Sequence, residues 1–350
     1  MGGLPTLVEV RRGSIVEARH RGSIVAVEPD GHVVARLGDE SMIVSTRSVI
    51  KPIQAIPVIT SGAADKFNIS SREMAVICAS HEGETMHTDT VAGILGRLGL
   101  DQGALLCGAH PPYSEEAAAL LKRRGATFNS LHNNCSGKHS GMLATAVHRG
   151  LPLEDYVSAE HAVQQSIIDV FRRIAELGPH ISIAVDGCSA PTFGVPLESI
   201  ARAFSRLANP WSANHDRGSL TTNEAVAVKW IVAAMTAYPE MVGGTSGRLD
   251  TDLMKATRGK LVSKIGAESV HAVAVLPDGR FPRGLGVAVK IEDGAKRALM
   301  PTVVEVLSQL QVIDQAEQAA LVDYHRPSVS NHRQFAVGEI RPVFDLGLRP

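Results

Sequence analysis

Arg47-Ser48-Val49-Ile50-Lys51-Pro52 is the stretch on which the reading of this chain turns. A serine three residues ahead of a lysine shares one face of a helical turn with it, which brings hydroxyl and amine within reach of each other. Proline suits the first turn of a helix and breaks its interior, so Pro52 predicts a helix beginning near Ser48. A serine at that position sits among free backbone N–H groups that favour negative charge. Its hydroxyl becomes a nucleophile when a base takes its proton. A lysine is such a base only when neutral, through burial or a second cation such as Lys138 or Lys264. The same six residues are also compatible with an ordinary helix start carrying a solvated lysine.

Upstream of this stretch the chain is strand-like. Leu7–Val10, Ile15–Glu17 and Ile24–Val27 are β-branched runs, and Pro29-Asp30-Gly31 supplies a turn before Val33–Ala35, which predicts an antiparallel meander. Downstream the texture is helical, with apolar residues at helical spacing over 117–124, 140–148, 159–175 and 222–237. Two apolar runs interrupt it, Met74–Ala79 ending at Ser80 and Ile181–Val185 ending at Asp186. Both read as buried strands or core segments that deliver polar residues at their ends. Strands return with 270–276, the turn Pro277-Asp278-Gly279 and 285–291, followed by a helix over 302–310. The tail after Arg326 reads as irregular, with a short strand near 335–337. The layout predicts an α+β fold with one antiparallel sheet built from the two ends of the chain. In this reading 1–350 is a single catalytic unit, with 1–46 and 265–350 mainly sheet and 47–264 mainly helical.

The chain has 350 residues, 44% hydrophobic and 20% charged, as in soluble globular proteins. Its 35 basic and 36 acidic residues nearly cancel, so nothing points to a nucleic acid or a membrane surface as partner. No apolar run has the ~18 residues of a membrane helix, and the start lacks the pattern of a signal peptide. Four widely spaced cysteines, Cys78, Cys107, Cys135 and Cys188, then read as reduced thiols, and a cytoplasmic location is the expectation.

Three further stretches are rich in functional groups. In Ala79-Ser80-His81-Glu82-Gly83-Glu84 the serine is either a proton relay or a helix cap. Asn133-Asn134-Cys135-Ser136-Gly137-Lys138-His139, with Asp186-Gly187-Cys188, offers sulfur, nitrogen and oxygen ligands for zinc, or else two buried inert cysteines. Ser263-Lys264-Ile265-Gly266 completes an order, S-x-x-K then a second serine then K-x-G on an edge strand, that serine β-lactamases and penicillin-binding proteins share. Here Ser80 follows Lys51 sooner than in those enzymes and lacks their S-x-N form.

Taken together, 47–55, 79–84, 134–143 and 186–193 resemble the thermolabile, rhizobial-type (class 3) L-asparaginases, over the chain to about residue 294. The resemblance implies a serine β-lactamase-like fold, a homodimer and hydrolysis of L-asparagine to L-aspartate and ammonia. It implies Zn2+ held at Cys135, Lys138 and Cys188, and two serine-lysine pairs, Ser48 with Lys51 and Ser80 with Lys264. Arg47, His139 and Asp186 are candidates for gripping the substrate's charged ends. Rival readings are another serine hydrolase on the same scaffold, a β-lactamase, esterase or peptidase, and a non-catalytic protein that binds a metal or an amino acid.

Overall fold

A computed structural model describes residues 3–211 and 220–348; Met1 and Gly2 of the expected start lie outside them. The strands are β1 Thr6–Arg12, β2 Ile15–Val27, β3 Val33–Leu37, β4 Ile43–Ser45, β5 Ser182–Val185, β6 Pro191–Pro196, β7 Leu261–Gly266, β8 Val270–Val275, β9 Leu285–Ile291, β10 Ser328–Ser330 and β11 Ala336–Pro342. The chain forms two compact units. One comprises Met1–Val49, Val195–Ser212 and Asp252–Pro350, the other Ile50–Gly194 and Ala213–Thr251.

The first unit is built on an antiparallel sheet in the order β10-β11-β1-β2-β9-β8-β7, with β3 also paired to β2. Strands from both ends of the chain make it, as the sequence layout predicts. Every residue of β8 and all but Lys290 of β9 are buried, so both faces of these strands are covered. Helices Leu197–Ala208 and Lys296–Gln309 pack against the sheet. The first of them lies so close that a Cβ on Gly286 would stand 1.8 Å from the Ala201 carbonyl oxygen. This contact holds Leu197–Ala208 against β9 within the first unit.

The runs Ile15–Glu17 and Ile24–Val27 are parts of one strand. Its first half alternates and pairs with β1, and its second half is buried and pairs with β9 and β3. The hinge between these partners is Gly22, where a Cβ would stand 2.2 Å from the Lys290 carbonyl oxygen. The tail holds two strands, β10 and β11, and β11 pairs with β1.

The second unit is helical. Its central helix is Ser71–Ile77, so of the two alternatives for the run from Met74 it is a buried core segment and not a strand. The run looks strand-like because the helix is surrounded by Ser136–Arg149, Thr222–Ala237, Thr85–Arg97 and Pro239–Val242, so no polar stripe marks its period. Its start is a capping box: Ser70 Oγ accepts from Glu73 N–H at 3.3 Å and Glu73 Oε2 accepts from Ser70 N–H at 2.8 Å. The second expected run, Ser182–Val185, is a strand paired with β6, but all four of its residues are exposed.

Candidate active site

Glycines explain how the second unit positions its polar groups. In helix Ser136–Arg149, a Cβ on Gly137 would stand 2.0 Å from the Val76 carbonyl oxygen, and one on Gly141 2.7 Å from Ile77 Cγ2. Glycines four apart thus let this helix lie directly on Ser71–Ile77. The close packing sets Lys138 and His139 on one helix beside the end of the other, from which Ala79 and Ser80 continue.

Lys51 opens a short helix, Lys51–Gln54, with Pro52 in its first turn, after a 3-10 turn over Arg47–Ile50. The helix expected from Ser48 therefore starts as this tighter turn. Lys51 is 1% exposed, so its amine must be satisfied by protein groups. Nζ donates to the carbonyls of Ala79 at 2.6 Å and Asn134 at 3.2 Å, and lies 3.0 Å from Ser80 Oγ. As an ammonium it donates to all three. As a neutral amine it keeps two N–H groups on the carbonyls and leaves its lone pair for a hydroxyl.

A sulfur cluster lies in the same unit. Cys135 precedes helix Ser136–Arg149, and Cys188 is in the turn between β5 and β6, closed by Asp186 N–H donating to the Ala190 carbonyl at 2.9 Å. Lys138 Nζ donates to Cys188 Sγ at 3.0 Å. A hydrogen bond from Cys188 holds the Cys135 thiol well below its usual pKa, helped by the Lys51 and Lys138 charges, and the same bond raises Cys188. Burial works against the Lys138 charge, but the two sulfurs and Asp186 outweigh it and raise its pKa. Burial pushes the fully buried His139 down to about 4. Its Nδ1 is 2.7 Å from Tyr156 Oη, which accepts from Leu106 N–H at 2.9 Å. The Cys188 sulfur beside the His139 ring opposes the effect of burial.

Two sulfurs and an amine nitrogen are a donor set that zinc accepts, provided Lys138 gives up its proton. Among the described residues no three His, Cys, Asp or Glu side chains are placed so that they could hold a metal ion. All four cysteines are buried thiols, as read from their spacing.

The first unit carries Arg47, Ser48 and Lys264. Arg47 and Ser48 are half-buried, and Arg47 has a left-handed backbone, φ +45°, which is uncommon for a non-glycine residue. Lys264 lies on β7, the edge strand of the sheet, is fully buried, and donates from Nζ to the Ile265 carbonyl at 2.8 Å. Gly266 ends that strand against the turn bearing Ser48: a Cβ there would stand 3.1 Å from Val49 Cγ2 and 3.3 Å from the Thr46 carbonyl oxygen. The structure thus joins Lys51 with Ser80, gathers Cys135, Lys138, His139, Asp186 and Cys188, and sets β7 beside the Ser48 turn.

Sequence reasoning missed the Asn134 carbonyl, Tyr156 and Arg248. Arg248 donates to the Ser80 carbonyl at 3.0 Å and pairs with Glu82. Its setting, Gly243-Gly244-Thr245-Ser246-Gly247-Arg248, is glycine-rich enough to have drawn notice, whereas nothing in the sequence distinguishes Tyr156.

The second unit thus holds a buried lysine in hydrogen-bond contact with a serine. The L-asparaginase II family model matches residues 8–342, and the chain belongs to this family of amidohydrolases. No curated protein sequence matches it. Among solved structures it is similar to a probable glutaminase from Bacillus subtilis complexed with 6-diazo-5-oxo-L-norleucine, at 14% identity and TM-score 0.40, covering 83% of this chain and 84% of that one. It is also similar to Mglu in its native form, at 12% identity and TM-score 0.42, covering 84% and 65%. Likenesses this distant carry no argument about function. No helix among the described residues is long and apolar enough to cross a membrane.

Proposed function

We propose that this protein is an L-asparaginase of the rhizobial type, hydrolysing L-asparagine to L-aspartate and ammonia through a serine acyl-enzyme and working as a homodimer. The observation that carries the reading is the buried Lys51 amine, held by two carbonyls and 3.0 Å from Ser80 Oγ. Ser48, one turn ahead of Lys51 in the chain, attacks the side-chain amide carbon while Lys51 takes its proton. The C–N bond then breaks, and Ser80, with Lys264, passes the proton to the departing ammonia. Water adds to the resulting ester, returns its proton by the same route and releases aspartate. Backbone N–H groups at Ser48 and near Lys264 hold the oxyanion. Arg47, His139 and Asp186 grip the substrate's carboxylate and ammonium ends. Zinc held by Cys135, Lys138 and Cys188 would help to position the substrate's charged ends through bound water and neighbouring groups rather than activate the nucleophile, because two thiolates neutralise much of its charge.

The direct contact between Lys51 and Ser80 favours a second reading in which Ser80 itself attacks. The experiment is ammonia release from L-asparagine and L-glutamine by the native protein, Ser48→Ala and Ser80→Ala, together with mapping of the 6-diazo-5-oxo-L-norleucine adduct by mass spectrometry. Loss of turnover in Ser48→Ala and an adduct on Ser48 support the first reading. An adduct on Ser80 exchanges the roles, and no ammonia from either amide overturns both.

A further inference from the structure

We infer that Arg248 is a positioning residue for Ser80, acting through the main chain and through Glu82; the inference rests on Ser80 taking part in the reaction proposed above. Residues 79–84 have no helix or strand of their own, so individual bonds must hold Ser80 in place. Ser80 N–H donates to the Val242 carbonyl at 3.0 Å and Glu82 N–H to the Gly243 carbonyl at 2.9 Å. Thr245 N–H donates to Glu84 Oε1 at 2.9 Å. These bonds lay the segment along 242–245 but leave the Ser80 carbonyl to be fixed by another group.

Arg248 supplies that group. Its Nη2 donates to the Ser80 carbonyl at 3.0 Å, and Nη1 bonds the Glu82 carboxylate. A planar guanidinium is suited to this, because one rigid fork spans both acceptors at once. The Ala79 carbonyl, on the other side of the Ser80 Cα, is held by Lys51 at 2.6 Å. Both peptide groups flanking Ser80 are thus held by basic side chains, which fixes the backbone from which its Oγ reaches Lys51. The Arg248 and Glu82 side chains are 13% and 15% exposed, so water screens the pair little. The anchor is itself braced: Thr251 Oγ1 lies 3.0 Å from the carbonyls of Pro239 and Gly244. Gly243 leaves no room for a side chain there, since a Cβ would stand 2.6 Å from Thr251 Oγ1 and 3.1 Å from Arg248 Cβ.

The test uses the full-length chain with Arg248→Lys, which keeps the charge but loses the fork, and Glu82→Gln, which keeps the shape but loses the charge. In each, kcat and KM for ammonia release are measured, and a crystal structure gives the separation of Lys51 Nζ from Ser80 Oγ. Kcat is expected to fall ~10- to 100-fold, the scale of a small misplacement of a reacting group, with KM changed less than ~3-fold and the Lys51–Ser80 bond lost or lengthened. Unchanged kcat with the bond intact overturns the inference, as does a rise in KM alone, which would assign Arg248 to substrate binding. If the native protein releases no ammonia from any amide, the proposed function fails, and the Lys51–Ser80 separation in the variants still decides whether Arg248 positions Ser80.

Discussion

Gly137→Ala and Gly93→Ala are the same chemical change in two helices, and the structure gives them opposite signs. Alanine is better than glycine in a helix interior by ~1 kcal/mol, so propensity alone favours both. At Gly93, in helix Thr85–Arg97, nothing lies within 4 Å of the new methyl group. At Gly137 the Cβ would stand 2.0 Å from the Val76 carbonyl oxygen and 2.7 Å from its carbon, where separations under 3.0 Å are essentially never seen. Helix Ser71–Ile77 would have to retreat by about 1 Å, and the helices around it leave it nowhere to go. Forced overpacking costs ~1–3 kcal/mol after relaxation, and an immobile backbone atom puts this case at the upper end. The net expectation is a loss of ~1–2 kcal/mol for Gly137→Ala and a gain of ~0.5–1 kcal/mol for Gly93→Ala, read as urea midpoints of opposite shift. Activity should separate them as well, because the helix carrying Gly137 also carries Lys138 and His139 and packs beside the approach to Ser80. A Gly137→Ala protein as stable and active as Gly93→Ala would refute the packing argument.

Three more outcomes can be checked. Lys51→Met fills the same space without a base, and kcat should fall by ~10²–10⁴ while circular dichroism stays native; retained turnover would remove Lys51 from the chemistry. Burial first, then proximity to His87 and Lys51, holds His81 well below the usual imidazole pKa, and His87 is lowered too by burial; their rings stack at 4.8 Å. Both take up protons less readily folded than unfolded, so their contribution to stability is complete above pH ~6.5 and declines as pH falls through the window beneath it. His81→Gln should flatten that decline in urea midpoints taken between pH 7 and 5; an equal slope would show that His81 does not contribute. Finally, Cys135→Ala should lower the zinc content of the purified protein by elemental analysis, and native zinc content in the variant would exclude Cys135 as a ligand.

The fold was largely legible because its strands at the two ends carry β-branched runs and turn residues that local sequence marks clearly. Where the reading erred, close packing had removed the usual signals. Met74–Ile77 shows no helical stripe because the helix is enclosed on every side. β2 reads as two strands because Gly22, where it changes partner, looks like a turn residue in sequence and is a close approach in space. The pairing of β11 with β1 joins residues more than 300 positions apart, which no local pattern records.

The candidate residues were legible as types and their partners were not. Spacing along a helix relates Lys51 to Ser48, its neighbour in sequence, and says nothing of Ser80, 29 positions away, which only tertiary packing brings to Lys51. The same packing brings the Asn134 carbonyl to Lys51. Main-chain acceptors have no residue signature, so two of the groups that hold the amine were invisible in principle. Arg248 differs: its residue type is legible, but its role passes through the Ser80 carbonyl and the Glu82 carboxylate, and only tertiary structure supplies those partners. Lys51 is legible as a base from its own sequence motif, yet whether its lone pair can face a hydroxyl depends on two carbonyls and on the guanidinium fork that turns Ser80 toward it.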